Sequence, residues 1–145
     1  MSYKNATAHR HSIAGQEYLV TACTQNRYPA FQDFNTARAA VAALRKTEEN
    51  GLAKVMAWVI MPDHLHLLLA LTGVGSLGDV LAHLKIQASR NAGSKIPWQK
   101  GYHERTLRRI EDRQDIARYI ILNPVRAGIV RTVREYPHWD SMYLG

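Results

Sequence analysis

The chain has 145 residues, 46% of them hydrophobic and 21% charged, the balance of an ordinary globular protein long enough to bury one core. Its single cysteine, Cys23, excludes an intramolecular disulfide and a cysteine-rich zinc module, and no apolar run approaches the ~20 residues of a membrane helix. Nineteen Lys and Arg against twelve Asp and Glu leave a net charge of +7: the footprint of a polyanion binder, nucleic acid first among them, or simply a charge that aids solubility.

The polar stretch Met1–Gln16 has no apolar segment of the signal-peptide kind, so a soluble, intracellular protein is expected, one domain over 1–145 with a short basic N-terminal arm. Within that arm, His9-Arg10-His11 has no apolar face behind it and reads either as a phosphate contact or as solvated chain. Glu17–Gln25 reads as a strand, rich in β-branched and aromatic residues and stopped by Asn26 and Pro29. Asn35 is expected to cap a helix to about Glu49, with Ala37, Ala40, Val41 and Leu44 on its apolar stripe and Asn50-Gly51 as its stop. Ala53–Met61 and His64–Leu71 read as a hairpin about Pro62-Asp63. Ser76–Asn91 reads as a second helix with a stripe of Leu77, Val80, Leu81, Leu84 and Ala88. A short strand is expected within Gly101–Arg109, a third helix from Asp112 that ends or kinks at Asn123 before Pro124, and an irregular tail after Val130. The order β-α-β-β-α-β with one more helix predicts an α+β, ferredoxin-like (RRM-like) fold. It has an antiparallel sheet with two helices on one face, the other face being open to a ligand or to the extra helix.

Alternation along His64–Leu71 puts Leu65, Leu67, Leu69 and Leu71 on one face and His64, His66, Leu68 and Ala70 on the other. Two imidazoles two residues apart on a strand can share one metal ion, or can be plain strand-end histidines bonded to their neighbours. On the third helix, Tyr119 and Asn123 stand at i and i+4, a quarter-turn from Ile116, Ala117, Ile120 and Ile121. They either serve a polar site or form the wet edge of a core. Trp98–Arg105 mixes aromatic and basic side chains, and arginines crowd the last third. Tyr102, His103, Arg105, Arg108 and Arg126, with Arg10 of the arm, are the candidates for contact with DNA.

His64-Leu65-His66 resembles the His-hydrophobe-His motif of single-tyrosine HUH transposases, and Tyr119–Gly128 (YIILNPVRAG) is similar to the tyrosine helix of REP-associated tyrosine transposases. The first strand, the Trp98–Arg108 segment and the Tyr136–Tyr143 tail resemble the same family in the same order. The resemblance implies a metal-dependent enzyme that cleaves and rejoins single-stranded DNA beside hairpin-forming palindromic repeats, through a 5′-phosphotyrosine intermediate. It assigns Tyr119 as nucleophile, and His64, His66 and Asn123 as ligands of Mg²⁺ or Mn²⁺. Asn123 is shorter than the glutamine that insertion-sequence relatives present. The resemblance also implies a monomer, and a cytoplasmic location at the nucleoid rather than a membrane. Two other classes compete with it: a non-catalytic hairpin binder of the same fold, and a metallohydrolase that activates water with no protein–DNA link.

Overall fold

Every second residue of His64–Leu71 is a leucine facing one way, and the molecule is built around that strand. The computed structural model describes residues 13–108 and 111–143. Its strands β1 (Glu17–Cys23), β2 (Ala53–Met61), β3 (His64–Leu71), β4 (His103–Thr106) and β5 (Trp139–Ser141) form one antiparallel sheet in the order β4-β1-β3-β2-β5. The helices are α1 (Phe34–Glu49), α2 (Leu77–Ala92), α3 (Arg113–Ile121) and the single turn α4 (Asn123–Arg126). The first four strands with α1 and α2 give the ferredoxin-like α+β arrangement expected from the sequence.

One face of the sheet, with Val20, Ile60, Leu65, Leu67 and Leu69, packs on the buried stripes of α1 and α2, Val41, Leu44, Leu81 and Leu84 among them. The opposite face carries Met56, Ala57, Val59, Met61 and Leu68, covered by Ala117 and Ile120 of α3 and by Tyr136. A register shift between Val55 and Ala57 lets neighbouring residues of β2 join this second cluster. The extra helix therefore lies on the face that bears the histidines.

Local chemistry explains the element ends. The cap of α1 is Asp33 rather than Asn35, because its carboxylate accepts both the N–H (2.9 Å) and the hydroxyl (2.8 Å) of Thr36. Ser76 and Asp79 form a reciprocal capping box on α2. Asp112 accepts from the N–H groups of Gln114 and Asp115 at the start of α3. At the far end, Pro124 cannot donate to the preceding turn, so α3 closes at Ile121 and a separate turn begins at Asn123.

Three expectations are corrected in detail. β1 stops at Cys23 because Gln25–Arg27 winds into a tight turn. The strand expected within Gly101–Arg109 is confined to four residues. The tail is not irregular throughout: Trp139–Ser141 pairs with Val59–Ala57 of β2 as a fifth strand. Ahead of it the buried Tyr136 donates its hydroxyl to the Ile60 carbonyl, and burial pushes that phenol up to about 12. Tyr136→Phe leaves this carbonyl short of a donor, and a loss of about 1–2 kcal/mol is expected in urea denaturation. Among the described residues, no helix is long and apolar enough to cross a membrane.

Candidate active site

Strand register assembles the site. Thr21 lies opposite both His66 and His103, and His66 lies opposite Val59, so one row across the sheet reads His103, Thr21, His66, Val59 on a single face. In the next row, Cys23 and Met61 flank His64. The Thr21 hydroxyl lies 2.9 Å from His66 Nδ1. Asp63, in the two-residue turn before β3, brings Oδ1 to 2.6 Å from His64 Nδ1, and its other oxygen accepts from Arg27 Nε at 3.0 Å. The two imidazoles meet nearly edge-on, centroids 4.8 Å apart.

Both Nδ1 atoms are thus engaged, and neither Nε2 has a hydrogen-bond partner among the described residues. This is the arrangement of ligating histidines whose second nitrogen is held by a polar neighbour. Burial first, then the charges of His64, Arg126 and Arg27, pushes His66 down to about 4, so its ring is neutral at pH 7, the form that binds metal. Burial raises Asp63, but the His64 hydrogen bond and the charges of His64 and Arg27 outweigh it and hold the carboxyl below its ordinary range. No third His, Cys, Asp or Glu completes a cluster among the described residues. Two imidazole Nε2 atoms fit a divalent ion, which would need further ligands from oxygen donors.

The depression of His66 has a consequence for stability. Between pH 6.5 and about 4 the unfolded chain takes up a proton at this ring that the folded, metal-free chain does not. Stability is therefore present in full above pH 6.5 and falls as the pH drops to 4, by up to roughly 3 kcal/mol. Urea midpoints measured across that range should fall for wild type and flatten for His66→Gln.

Tyr119 projects from α3 with 56% of its surface exposed, while Ala117, Ile120 and Ile121 are buried. The Arg126 guanidinium stacks 4.0 Å from the centre of its ring and donates to the Tyr119 carbonyl at 2.6 Å. The helix that carries Tyr119 packs through Ala117 and Ile120 on the sheet face that bears the histidines. Asn123 opens α4 rather than sharing a continuous helix with Tyr119. Its amide N–H donates to the Ile120 carbonyl at 3.3 Å, and its oxygen has no hydrogen bond among the described residues. At its other end α3 is latched to β1, with the Arg113 guanidinium donating to both oxygens of Glu17 at 2.9–3.1 Å.

Of the residues expected to touch DNA, His103 and Arg105 lie on the histidine face, opposite Thr21 and Leu19. Both are exposed, and Arg105 pairs with Glu111 at 2.5 Å. Arg108 is exposed in the following loop and donates its N–H to the Glu111 carboxylate. Arg126 sits at Tyr119. Tyr102 is not brought to this face: its ring packs with the α1–α2 cluster, and burial, then Glu104 and Asp79, raises its phenol. Arg10 and the His9–His11 arm lie outside the described residues. Sequence reasoning passed over Thr21, Asp63 and Arg27. Alternation in β1, with Tyr18, Val20 and Ala22 facing the helices, was the available signal for Thr21; adjacency to His64 was the signal for Asp63.

A family model described as "Transposase IS200 like" matches residues 12–122. A REP-associated tyrosine transposase of Escherichia coli (strain K12) is 29% identical over 96 residues, 66% of this chain and 58% of that protein. A relative from Haemophilus influenzae is 28% identical over 112 residues, 67% of this chain and 64% of its own length. The chain thus spans less than two thirds of the length of these curated relatives. Among solved structures, a REP-associated tyrosine transposase bound to a REP hairpin superimposes with a TM-score of 0.75 at 26% identity, covering 88% of this chain and 77% of that one. With a family match running from 12 through the tyrosine helix, and a fold shared with that structure, the chain belongs to the IS200-like transposase family.

Proposed function

We propose that this protein cuts and rejoins single-stranded DNA beside a hairpin, using Tyr119 as nucleophile. The observation that carries the proposal is the pair His64 and His66, each held at Nδ1 by a polar neighbour, on the sheet face over which the helix bearing the exposed Tyr119 packs. A structural relative is bound to a REP hairpin, which supports a hairpin as the DNA partner here.

His64 and His66, through Nε2, and Asn123, through its amide oxygen, would hold Mg²⁺ or Mn²⁺. Such an ion, when bound, would supply charge to polarise the scissile phosphate and offset the negative charge of the transition state. The remaining work falls to the chain. Asp63 and Thr21 fix the imidazole orientations. Arg27, paired with Asp63, and Arg126, stacked on Tyr119, would contribute positive charge to the phosphate. α3, latched by Arg113 to Glu17, packs on the histidine face and would bring Tyr119 to the phosphate. A tyrosine hydroxyl is mostly protonated at neutral pH and a weak nucleophile, so attack depends on alignment and on the cationic surroundings. The Tyr119 Oη–P bond forms as the P–O3′ bond breaks; the phenol proton passes to solvent and the departing O3′ takes up a proton. The phosphotyrosine keeps the bond energy, so a 3′-OH can reverse the step and join strands.

The test is a 3′-end-labelled single-stranded hairpin with its natural flanks, incubated with protein and Mn²⁺ and run on a denaturing gel. Label retained on protein is expected, and is expected to vanish with chelator and in His64→Ala and His66→Ala. Tight hairpin binding with no covalent species would instead support a non-catalytic binder, and cleaved DNA free of protein a water-activating hydrolase.

A further inference from the structure

Next to the histidine turn, the segment joining β1 to α1 adopts a costly conformation. Asn26 (φ 51) and the adjacent Arg27 (φ 55) are both left-handed, the only non-glycine residues so among those described. Asn tolerates that region, but arginine does not favour it. The turn is nonetheless held firmly. Thr24 donates its N–H to the Asp63 carbonyl at 3.0 Å and its hydroxyl to the Tyr28 carbonyl at 2.6 Å, and Phe31 N–H donates to the Pro62 carbonyl at 2.9 Å. On the other side, Gln25 N–H reaches the Pro97 carbonyl (2.7 Å) and Gln99 N–H the Cys23 carbonyl (2.8 Å). Two chain segments are thereby bonded into one wall beside the turn that orients His64.

That wall bounds two adjoining open grooves. The first, of about 610 Å³, is polar and presents the side chains of Gln25, Asn26 and Gln99. The second, of about 530 Å³, has a mainly apolar lining that includes Tyr28, Pro29 and Pro97. The Tyr28 ring is 58% exposed. A flat apolar shelf beside a notch of side-chain amides matches a nucleobase, which has a stacking face and a hydrogen-bonding edge. Arg27 lies between the grooves and the histidines, with Nε and Nη1 engaged by Asp63 and Cys23.

We infer that this turn and Pro97–Gln99 form a subsite that captures one unpaired base next to the cleaved phosphate, stacked on Tyr28 and read at its edge by Gln99 and the amides of Gln25 and Asn26. The inference rests on the strand-cleavage reading above and adds to it where sequence preference at the flank is set. The left-handed pair is the backbone cost of turning this edge toward the site.

Binding of fluorescent hairpin oligonucleotides to the full chain in a Tyr119→Phe background tests it, with an abasic nucleotide or each of the four bases at every unpaired position near the cut. Tyr28→Ala is expected to weaken binding about tenfold. An abasic nucleotide at one position is expected to cost the same, and the two together no more than either alone. Gln99→Ala is expected to level the base preference at that position; both residues are exposed, so folding is preserved. Multiplying losses, or unchanged binding by Tyr28→Ala, would overturn the subsite. If wild type forms the covalent adduct while Tyr28→Ala binds normally, only the subsite falls; if wild type neither binds nor links to the strand, the parent reading falls with it.

Discussion

Tyr119→Phe should abolish the covalent protein–DNA species, with strand cleavage down by roughly 10³-fold or more, as expected when a nucleophile is removed outright. The substitution deletes one oxygen from an exposed ring whose hydroxyl has no hydrogen bond among the described residues. The Arg126 guanidinium at 4.0 Å can stack on phenylalanine as it does on tyrosine. Melting temperature and hairpin affinity should therefore stay at wild-type values, which separates a chemical defect from a folding one. Tyr102→Phe is the matched control. Its ring belongs to the cluster on the other side of the sheet, and it should retain the adduct. A Tyr119→Phe protein that still links to DNA would put the nucleophile elsewhere.

The second large effect concerns residues that touch neither DNA nor metal. Thr21→Val keeps the shape and the strand preference of the side chain but removes the hydroxyl 2.9 Å from His66 Nδ1. Asp63→Ala removes the carboxylate 2.6 Å from His64 Nδ1. Each loss frees a ring to rotate and to change tautomer, and Mn²⁺ affinity by titration calorimetry should fall 10- to 100-fold. The two variants should differ in one respect. Asp63→Ala also releases Arg27 from its 3.0 Å ion pair, so its DNA affinity should change, whereas that of metal-free Thr21→Val should not. Unchanged Mn²⁺ binding in both would mean that the imidazoles do not bind through Nε2.

Much of this architecture is written in local patterns. The leucine alternation of β3 announces both a core face and a histidine face, and the stripes of α1 and α2 are buried as their spacing requires. Pro124 signals the end of α3, expected at Asn123 and found at Ile121. The features that escaped sequence reasoning depend on partners distant in the chain. Thr21 becomes the neighbour of His66 only through the β1–β3 register, 45 residues apart. β5 is three residues long, and its pairing with β2 is visible only once Tyr136 is seen anchored to Ile60. Asp33 prevailed over Asn35 as a cap because Thr36 offers it two donors, a choice made by geometry between two residues of similar capping strength. The left-handed pair Asn26-Arg27 is invisible for a different reason: no glycine signals it, and the stabilising contacts come from the β2–β3 turn and from Pro97.

The placement of the two shortest strands bears on how the sheet avoids pairing with other chains at its edges. β2 (AKVMAWVIM) and β3 (HLHLLLAL) are its longest and most apolar strands, the kind of segment that recruits other chains when its edge is bare. In the finished sheet both are interior. The rims are β4, four residues reading HERT, and β5, three residues, too short and too polar to template further pairing. Because β5 lies far downstream of β2 in the chain, β2 has an open edge until Trp139–Ser141 is in place. A protein truncated before Trp139 would carry that apolar edge permanently, and its failure would be seen as aggregation on expression before any loss of chemistry could be measured.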